Sequence, residues 1–279
     1  MKTLRQIHRD FTAQLPDHYT PAEKNWLFHI FLEAYHDLHK TDFFLNPGRM
    51  IDESKMTEAL ERLKRNEPWQ YILGHTEFYG LTLAVDSRVL IPRPETEELI
   101  DVIKNRLPFY PANILDIGTG SGAIALALKK IFPQAEVTAM DFKPEILDLV
   151  RQNADYNQLK INLFQGNILQ NEFPAGPWDL VVSNPPYVLT KERGKMEANV
   201  LDYEPAEALF VPDDDPLVYY RKITAFFLEA GSDKSRLFFE INPGFRESLG
   251  EMAANSGLSF VFHNDSAGKV RMMETGKSI

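Results

Sequence analysis

The stretch that most limits what this chain can fold into is Asp179-Leu180-Val181-Val182-Ser183-Asn184-Pro185-Pro186-Tyr187. Its apolar run halts at an asparagine and two prolines. Nearly continuous apolar character is what a strand covered on both faces requires, so the run fits the middle of a parallel sheet. Neither proline has an N–H to give a neighbouring strand, so the ladder must stop there. What remains is a stiff corner that shows the Asn184 side-chain amide, the Asn184 and Pro185 backbone carbonyls and the flat Tyr187 ring. Open α/β sheets bind ligands outside the carboxyl ends of their strands, which puts a site at this corner.

The corner suits the holding of a planar NH2 group attached to a carbonyl or an aromatic ring. Such a nitrogen is a poor nucleophile because its lone pair is delocalised. Two carbonyl acceptors can take its two hydrogens and aim the lone pair at an electrophile, while a ring packs on the planar face. Taken alone, Asn-Pro-Pro also reads as an ordinary strand followed by a turn.

Bulk properties narrow the class. At 279 residues, 44% hydrophobic and 25% charged, the chain has the make-up of a soluble globular protein of one large domain or two ordinary ones. There is no apolar run long enough to span a membrane, and the first ten residues lack the apolar core of a signal peptide. Without cysteine there is no disulfide framework, thiolate metal site or Cys nucleophile, and a cytoplasmic location is the simplest reading. A formal net charge of −10 argues against nucleic acid as a partner, since binders of phosphate backbones usually carry a basic surplus.

Residues 1 to about 75 read as a small helical domain. Thr20 is placed to cap a helix with Pro21 in its first turn. Trp26, Leu27, Ile30, Phe31, Ala34, Tyr35 and Leu38 then recur at helical spacing as an apolar stripe. A shorter helix over 57–65 turns Leu60 and Leu63 inward. His29, His36 and His39 fall near one helix, but no carboxylate–histidine pattern accompanies them and no metal site is expected. From Trp69 the pattern shifts toward alternation, and residues 76–94 read as a β-hairpin linker. The prolines of Leu90-Ile91-Pro92-Arg93-Pro94 fix an extended entry, and Glu95, Glu97 and Glu98 suit the positive end of the helix that follows.

Residues 95–279 alternate strand and helix, which implies a doubly wound sheet. Strands are expected at 113–118, 136–141, 161–164, 178–184, 236–242, 258–263 and 270–273, with helices over 123–132, 143–159 and 217–230. Between the first strand and its helix runs Asp116-Ile117-Gly118-Thr119-Gly120-Ser121-Gly122. Three glycines allow a tight turn and close approach of a ligand to the backbone. The spacing matches neither the dinucleotide fingerprint nor the P-loop, and such a loop can also be a plain turn. The second strand ends in Asp141, about 20 residues on, where an acid can accept both ribose hydroxyls of an adenosine. Asn167, after the third strand, is placed to hydrogen-bond the adenine. Four strand ends would then line one crevice.

With these residues in view the chain resembles S-adenosylmethionine-dependent methyltransferases acting on a planar nitrogen. More narrowly it resembles the peptide chain release factor glutamine-N5 methyltransferases, the PrmC or HemK family. Asn184-Pro185-Pro186-Tyr187 alone is shared with DNA-adenine and ribosomal methyltransferases. Glu67-Pro68-Trp69-Gln70-Tyr71-Ile72-Leu73-Gly74, Val89-Leu90-Ile91-Pro92-Arg93-Pro94-Glu95-Thr96-Glu97 and Tyr203-Glu204-Pro205-Ala206-Glu207-Ala208-Leu209 narrow the match. The resemblance implies a Rossmann-like, seven-stranded α/β methyltransferase domain of class I, preceded by a helical domain that recognises the release factor. It implies S-adenosyl-L-methionine as cofactor and class 1 release factors, through the glutamine of their Gly-Gly-Gln motif, as protein substrate. Gly118, Thr119, Gly120, Ser121, Gly122, Asp141, Asn167 and Asn184 would hold the cofactor. Asn184, Pro185, Pro186 and Tyr187 would form the catalytic corner. The alternative is transfer to an exocyclic amine of adenine or guanine in nucleic acid. Three stretches depart from the family pattern. Asn167 stands where an acid is common, Glu240-Ile241-Asn242-Pro243-Gly244 replaces a Glu-Ile-Gly start, and Val211-Pro212-Asp213-Asp214-Asp215-Pro216 replaces a glycine-rich loop.

Overall fold

The computed structural model describes residues 1–277. The chain divides into two compact units, Met1–Gly74 with Glu197–Tyr203, and His75–Met196 with the chain from Glu204 onward.

The first unit is built on helices Leu4–Gln14, Pro21–His36, Lys40–Leu45, Ser54–Leu63 and Trp69–Leu73. Thr20 caps the second as expected. Glu23 N donates to Thr20 Oγ1 at 3.3 Å, and Thr20 N donates to the Glu23 carboxylate at 2.7 Å. The apolar stripe is rotated from the expected one. Leu27, Phe28, Phe31 and Leu32 are buried, whereas Trp26 is 49% exposed and Ala34 lies on the surface. The helix is apolar around much of its girth, so two overlapping stripes satisfied the same spacing, and packing against Phe11 and Leu60 in the core selects one. His39 falls outside this helix, with Nδ1 3.2 Å from Glu33 Oε1. The alternation expected from Trp69 begins only at His75. Pro68 and Gly74, the latter at φ 77°, bracket a helical turn over Trp69–Leu73. Tyr203 Oη donates to the Arg65 carbonyl at 2.9 Å, which ties Glu197–Tyr203 into this unit.

In the second unit the hairpin His75–Phe78 and Leu81–Ala84 is pinned by Asn153 of the helix Pro144–Tyr156 and by Asn157, which caps that helix. Asn153 accepts from Ala84 N at 2.7 Å and donates to Ala84 O at 3.1 Å, and Asn157 Nδ2 donates to Thr82 O at 2.8 Å. The central sheet has seven strands, here β1 (Asn113–Ile117), β2 (Glu136–Asp141), β3 (Asn162–Gln165), β4 (Trp178–Ser183), β5 (Gly231–Glu240), β6 (Ser259–Asn264) and β7 (Val270–Gly276). Their spatial order is 6-7-5-4-1-2-3, with β7 alone antiparallel to its neighbours. The expected strand ends shift by a few residues, and β4 stops at Ser183, so Asn184 leads out of the ladder.

This topology positions the site. The chain runs outward through β1, β2 and β3 and then returns to place β4 on the other side of β1. Ile117 pairs with Met140 on one side and with Ser183 on the other. The residues that follow these strands therefore emerge together at a topological switch point, the crevice where doubly wound sheets bind ligands. Ser183 Oγ donates to Ile117 O at 2.7 Å and locks the two strand ends in step.

Candidate active site

At the end of β1 the chain turns over the sheet through Gly118, Gly120 and Gly122, all with positive φ (74°, 54° and 83°). A Cβ on Gly118 or Gly120 would meet nothing within 4 Å, and both line a cavity, so the missing side chains leave that space to a ligand. At Gly122 the reason differs, because a Cβ there would come within 2.9 Å of Val150. Beneath the loop lies Asp116, fully buried. Its Oδ2 accepts from Thr119 Oγ1 at 2.6 Å and Ala125 N at 3.1 Å, and its Oδ1 has no partner. Burial pushes this carboxyl up to about 7, against the pull of those two donors. Asn153 Nδ2 donates to Ser121 O at 2.8 Å and holds the loop from behind.

Asp141, at the end of β2, accepts from Gly120 N at 3.2 Å and from Phe142 N at 2.8 Å. Burial raises its pKa and these backbone donors lower it, with burial the larger. Gly120 is thereby fastened across the crevice to the neighbouring strand.

The Asn184 corner is held by a buried network. Asn184 Nδ2 donates to Thr96 Oγ1 over a long 3.4 Å, and Thr96 Oγ1 donates to Glu240 Oε2 at 2.6 Å. Tyr187 Oη donates to Glu240 Oε1 at 3.0 Å, and Tyr220 Oη donates to the Glu240 carbonyl at 3.1 Å. Thr96 is 5% exposed and Glu240 2%. Burial raises the Glu240 pKa, while the Thr96 and Tyr187 hydroxyls and the charge of Arg271 lower it. Burial, then the Glu240 charge, pushes the Tyr187 phenol up. Buried Glu204 accepts from Arg93 Nη2 at 2.5 Å and from Ile91 N at 3.1 Å, which fixes the segment that delivers Thr96.

A cavity of about 220 Å³ runs between these two constructions. Of the residues the sequence singled out, Gly118, Thr119, Gly120, Ser121, Asp141, Asn167, Asn184, Pro185 and Pro186 all line it. Gly122 packs behind the loop, and Tyr187 turns its hydroxyl to Glu240 and is not part of the lining. Asn167 Oδ1 is engaged by Leu169 N at 2.9 Å, capping the short turn Ile168–Gln170. Sequence reading missed Thr96, Glu240, Asp116, Asn153 and Glu204 as parts of the site. A Thr inside a proline-fixed segment, an acid opening the glycine loop and Glu240 at the head of Glu240-Ile241-Asn242-Pro243-Gly244 were visible signals, but nothing local ties Glu240 to Asn184. Among the described residues no group of three or more His, Asp or Glu side chains is placed to hold a metal ion, and no helix is long and apolar enough to cross a membrane.

Open backbone at Gly118 and Gly120 and the acid Asp141 thus face the Asn184-Pro185-Pro186 corner across one cavity. Comparison with known proteins shows what the chain is similar to. Residues 94–207 match the family described as the methyltransferase small domain, and residues 6–74 match the PrmC N-terminal domain. The release factor glutamine methyltransferase of Flavobacterium psychrophilum is 42% identical over 246 residues, covering 86% of each chain. That of Bacteroides thetaiotaomicron is 39% identical over 250 residues, covering 88% of this chain and 90% of its own. Among solved structures, a methyltransferase from Pyrococcus furiosus superposes with a TM-score of 0.55 at 19% identity, over 80% of this chain and all of that one, and shares the fold.

Proposed function

This chain belongs to the release factor glutamine methyltransferases, and from that premise we propose that it transfers the methyl group of S-adenosyl-L-methionine to the side-chain nitrogen, N5, of the glutamine in the Gly-Gly-Gln motif of class 1 peptide chain release factors. The product would be S-adenosyl-L-homocysteine, and the reaction would take place in the cytoplasm. The observation that carries the proposal is the meeting of Gly118, Gly120, Asp141 and Asn184-Pro185-Pro186 around one cavity.

The residues present fit this donor. Backbone without side chains lies open at Gly118 and Gly120, where the methionine part would pass. Asp141 stands at the strand end that suits a ribose, and Asn167 with Ile168 lines the side for adenine. Bound there, S-adenosylmethionine supplies an electrophilic methyl on a sulfonium.

The protein's own contribution is to aim the acceptor. Asn184 Oδ1 and the Pro185 carbonyl take the two hydrogens of the glutamine amide and turn its lone pair toward the methyl. Tyr187 steadies the corner through Glu240. Positive charge builds on the amide nitrogen as the methyl arrives, so both carbonyl acceptors bind the transition state more tightly than the ground state. No base need act first, because the alkylated nitrogen sheds its proton readily. Orientation of this kind is worth roughly 7–11 kcal/mol in well-aligned reactions. The helical unit, residues 1–75 in the sequence reading, is assigned to release-factor recognition.

The test is incubation of purified release factor with methyl-labelled cofactor, beside a copy whose motif glutamine is replaced, with tRNA, rRNA and DNA in parallel. Label on the intact factor alone is the expected result. Label on a nucleic acid would transfer the assignment to an exocyclic amine.

A further inference from the structure

We propose that Thr96 and Glu240 form a one-way hydrogen-bond relay that fixes which way round the Asn184 amide stands, so that its carbonyl oxygen and not its NH2 faces the cavity. The proposal rests on the reading of Asn184 as the residue that grips a planar amide.

An asparagine side chain is nearly symmetric in shape, and a half-turn of its amide exchanges an acceptor for a donor. For Asn184 the exchange would be ruinous, since an outward NH2 would meet the NH2 of the substrate, donor against donor. Something in the protein must choose.

The choice starts at Glu240. A carboxylate only accepts, and this one is buried with Oε2 at 2.6 Å from Thr96 Oγ1 and Oε1 at 3.0 Å from Tyr187 Oη. Thr96 has a single hydroxyl hydrogen, and that hydrogen is spent on Glu240. Toward Asn184 it therefore offers lone pairs alone. The Asn184 atom 3.4 Å away must be the donor, Nδ2, which sends Oδ1 in the opposite direction. The contact is long, yet the relay does not depend on a strong bond. A reversed amide would set two acceptors, Oδ1 and Oγ1, against each other and lose the donor contact altogether. The same carboxylate orders the Tyr187 hydroxyl, so one buried charge sets both side chains of the corner. Tyr220 Oη on the Glu240 carbonyl and the Glu204 contacts with Ile91 and Arg93 hold the relay at its two ends. Thr96 and Glu240 are positioning residues, since they act through Asn184.

The test compares Thr96→Val, nearly isosteric, with Thr96→Ser, which keeps the hydroxyl. Thr96→Val should lower kcat roughly 10- to 100-fold, the scale of a misoriented reacting group. The KM for release factor and the Kd for S-adenosylmethionine should hardly move. Thr96→Ser should recover most of the loss. Asn184→Asp supplies the decisive background, because a carboxylate presents an acceptor whichever way it turns. There Thr96→Val should change kcat by less than about twofold. Thr96→Ala gives the same reading if the valine variant is unstable. A loss that is equal in the Asn184→Asp background, or that falls on KM and Kd instead of kcat, would overturn the relay. A second readout needs no substrate. The side-chain NH2 signals of Asn184 in 15N-labelled protein, assigned by their absence in Asn184→Asp, should shift in Thr96→Val and return in Thr96→Ser. Unchanged signals contradict the relay. If the wild-type chain leaves release factor unmethylated, the functional reading fails, and the spectrum still decides the orientation.

Discussion

The two ends of the cavity are built in opposite ways. At the glycine-loop end the bonds are short in sequence. Asp116 meets Thr119 three residues on and Ala125 nine residues on, and Asp141 reaches Gly120 across 21. At the Asn184 end they are long. Thr96 meets Glu240 across 144 residues, Asn184 meets Thr96 across 88 and Tyr187 meets Glu240 across 53. The loop end is fastened by β1, β2, their turns and the helix Pro144–Tyr156 that follows, whereas the corner is complete only when β5 has joined the sheet. Donor binding and acceptor orientation are therefore separable properties, and substitutions should divide between them.

The sharpest division should come from Asn184→Ala. Turnover should fall roughly 100-fold or more, by analogy with loss of one transition-state hydrogen-bonding group, while the Kd for S-adenosylmethionine stays nearly unchanged by calorimetry. An equal fall in both would dissolve the comparison. Glu240→Ala comes next. It leaves the Thr96 and Tyr187 hydroxyls buried without their acceptor, so chemical denaturation should show a loss of about 1–3 kcal/mol, with turnover reduced and donor binding retained. Asp141→Ala should show the converse pattern. The donor Kd should weaken about tenfold, equivalent to about 1.4 kcal/mol, and saturating donor should restore most of the turnover.

A gentler effect concerns Asp116. Its folded-state pKa, pushed up to about 7, exceeds the unfolded value of about 3.9. The folded protein thus holds this proton more tightly than the unfolded chain does. The stabilisation is complete below about pH 4 and is lost as pH rises through about 7. Asp116→Asn, which does not titrate, should flatten the decline of Tm over that window. The smallest effect should follow Lys143→Ala. Its pair with Glu207 is solvent-exposed, on side chains 28% and 46% accessible, and exposed pairs contribute about 0–1 kcal/mol. A large change in donor affinity there would mean that the loop end is less self-contained than its short-range bonds imply.

The same contrast explains what was legible in the sequence. Alternating apolar strands, the glycine loop, Asp141 and the Pro-Pro stop are local signals, and each marks a local structure that forms where expected. The corner's supports are not local. Glu240 reads as the end of an apolar strand, and only the order 6-7-5-4-1-2-3 brings that strand beside β4 and its acid to Thr96. The acceptor of the Tyr187 hydroxyl lies 53 residues away, beyond the reach of any local signal. In the helical unit the error was of another kind. Trp26 and Phe28, two residues apart at 3.6 residues per turn, lie on nearly opposite faces of one apolar helix, and spacing alone does not say which face meets the core. Trp26 instead stands edge-on to Trp69, their ring centroids 5.2 Å apart.

In the proposed reaction the acceptor is one amide nitrogen. The most direct measurement is tandem mass spectrometry of release factor treated with this protein and methyl-labelled S-adenosylmethionine, with fragments that place the label on a single side chain. Label is expected on the side-chain nitrogen of the Gly-Gly-Gln glutamine, and none when the Asn184→Ala enzyme is used. Label on any other residue, or its persistence with the Asn184→Ala enzyme, would contradict it.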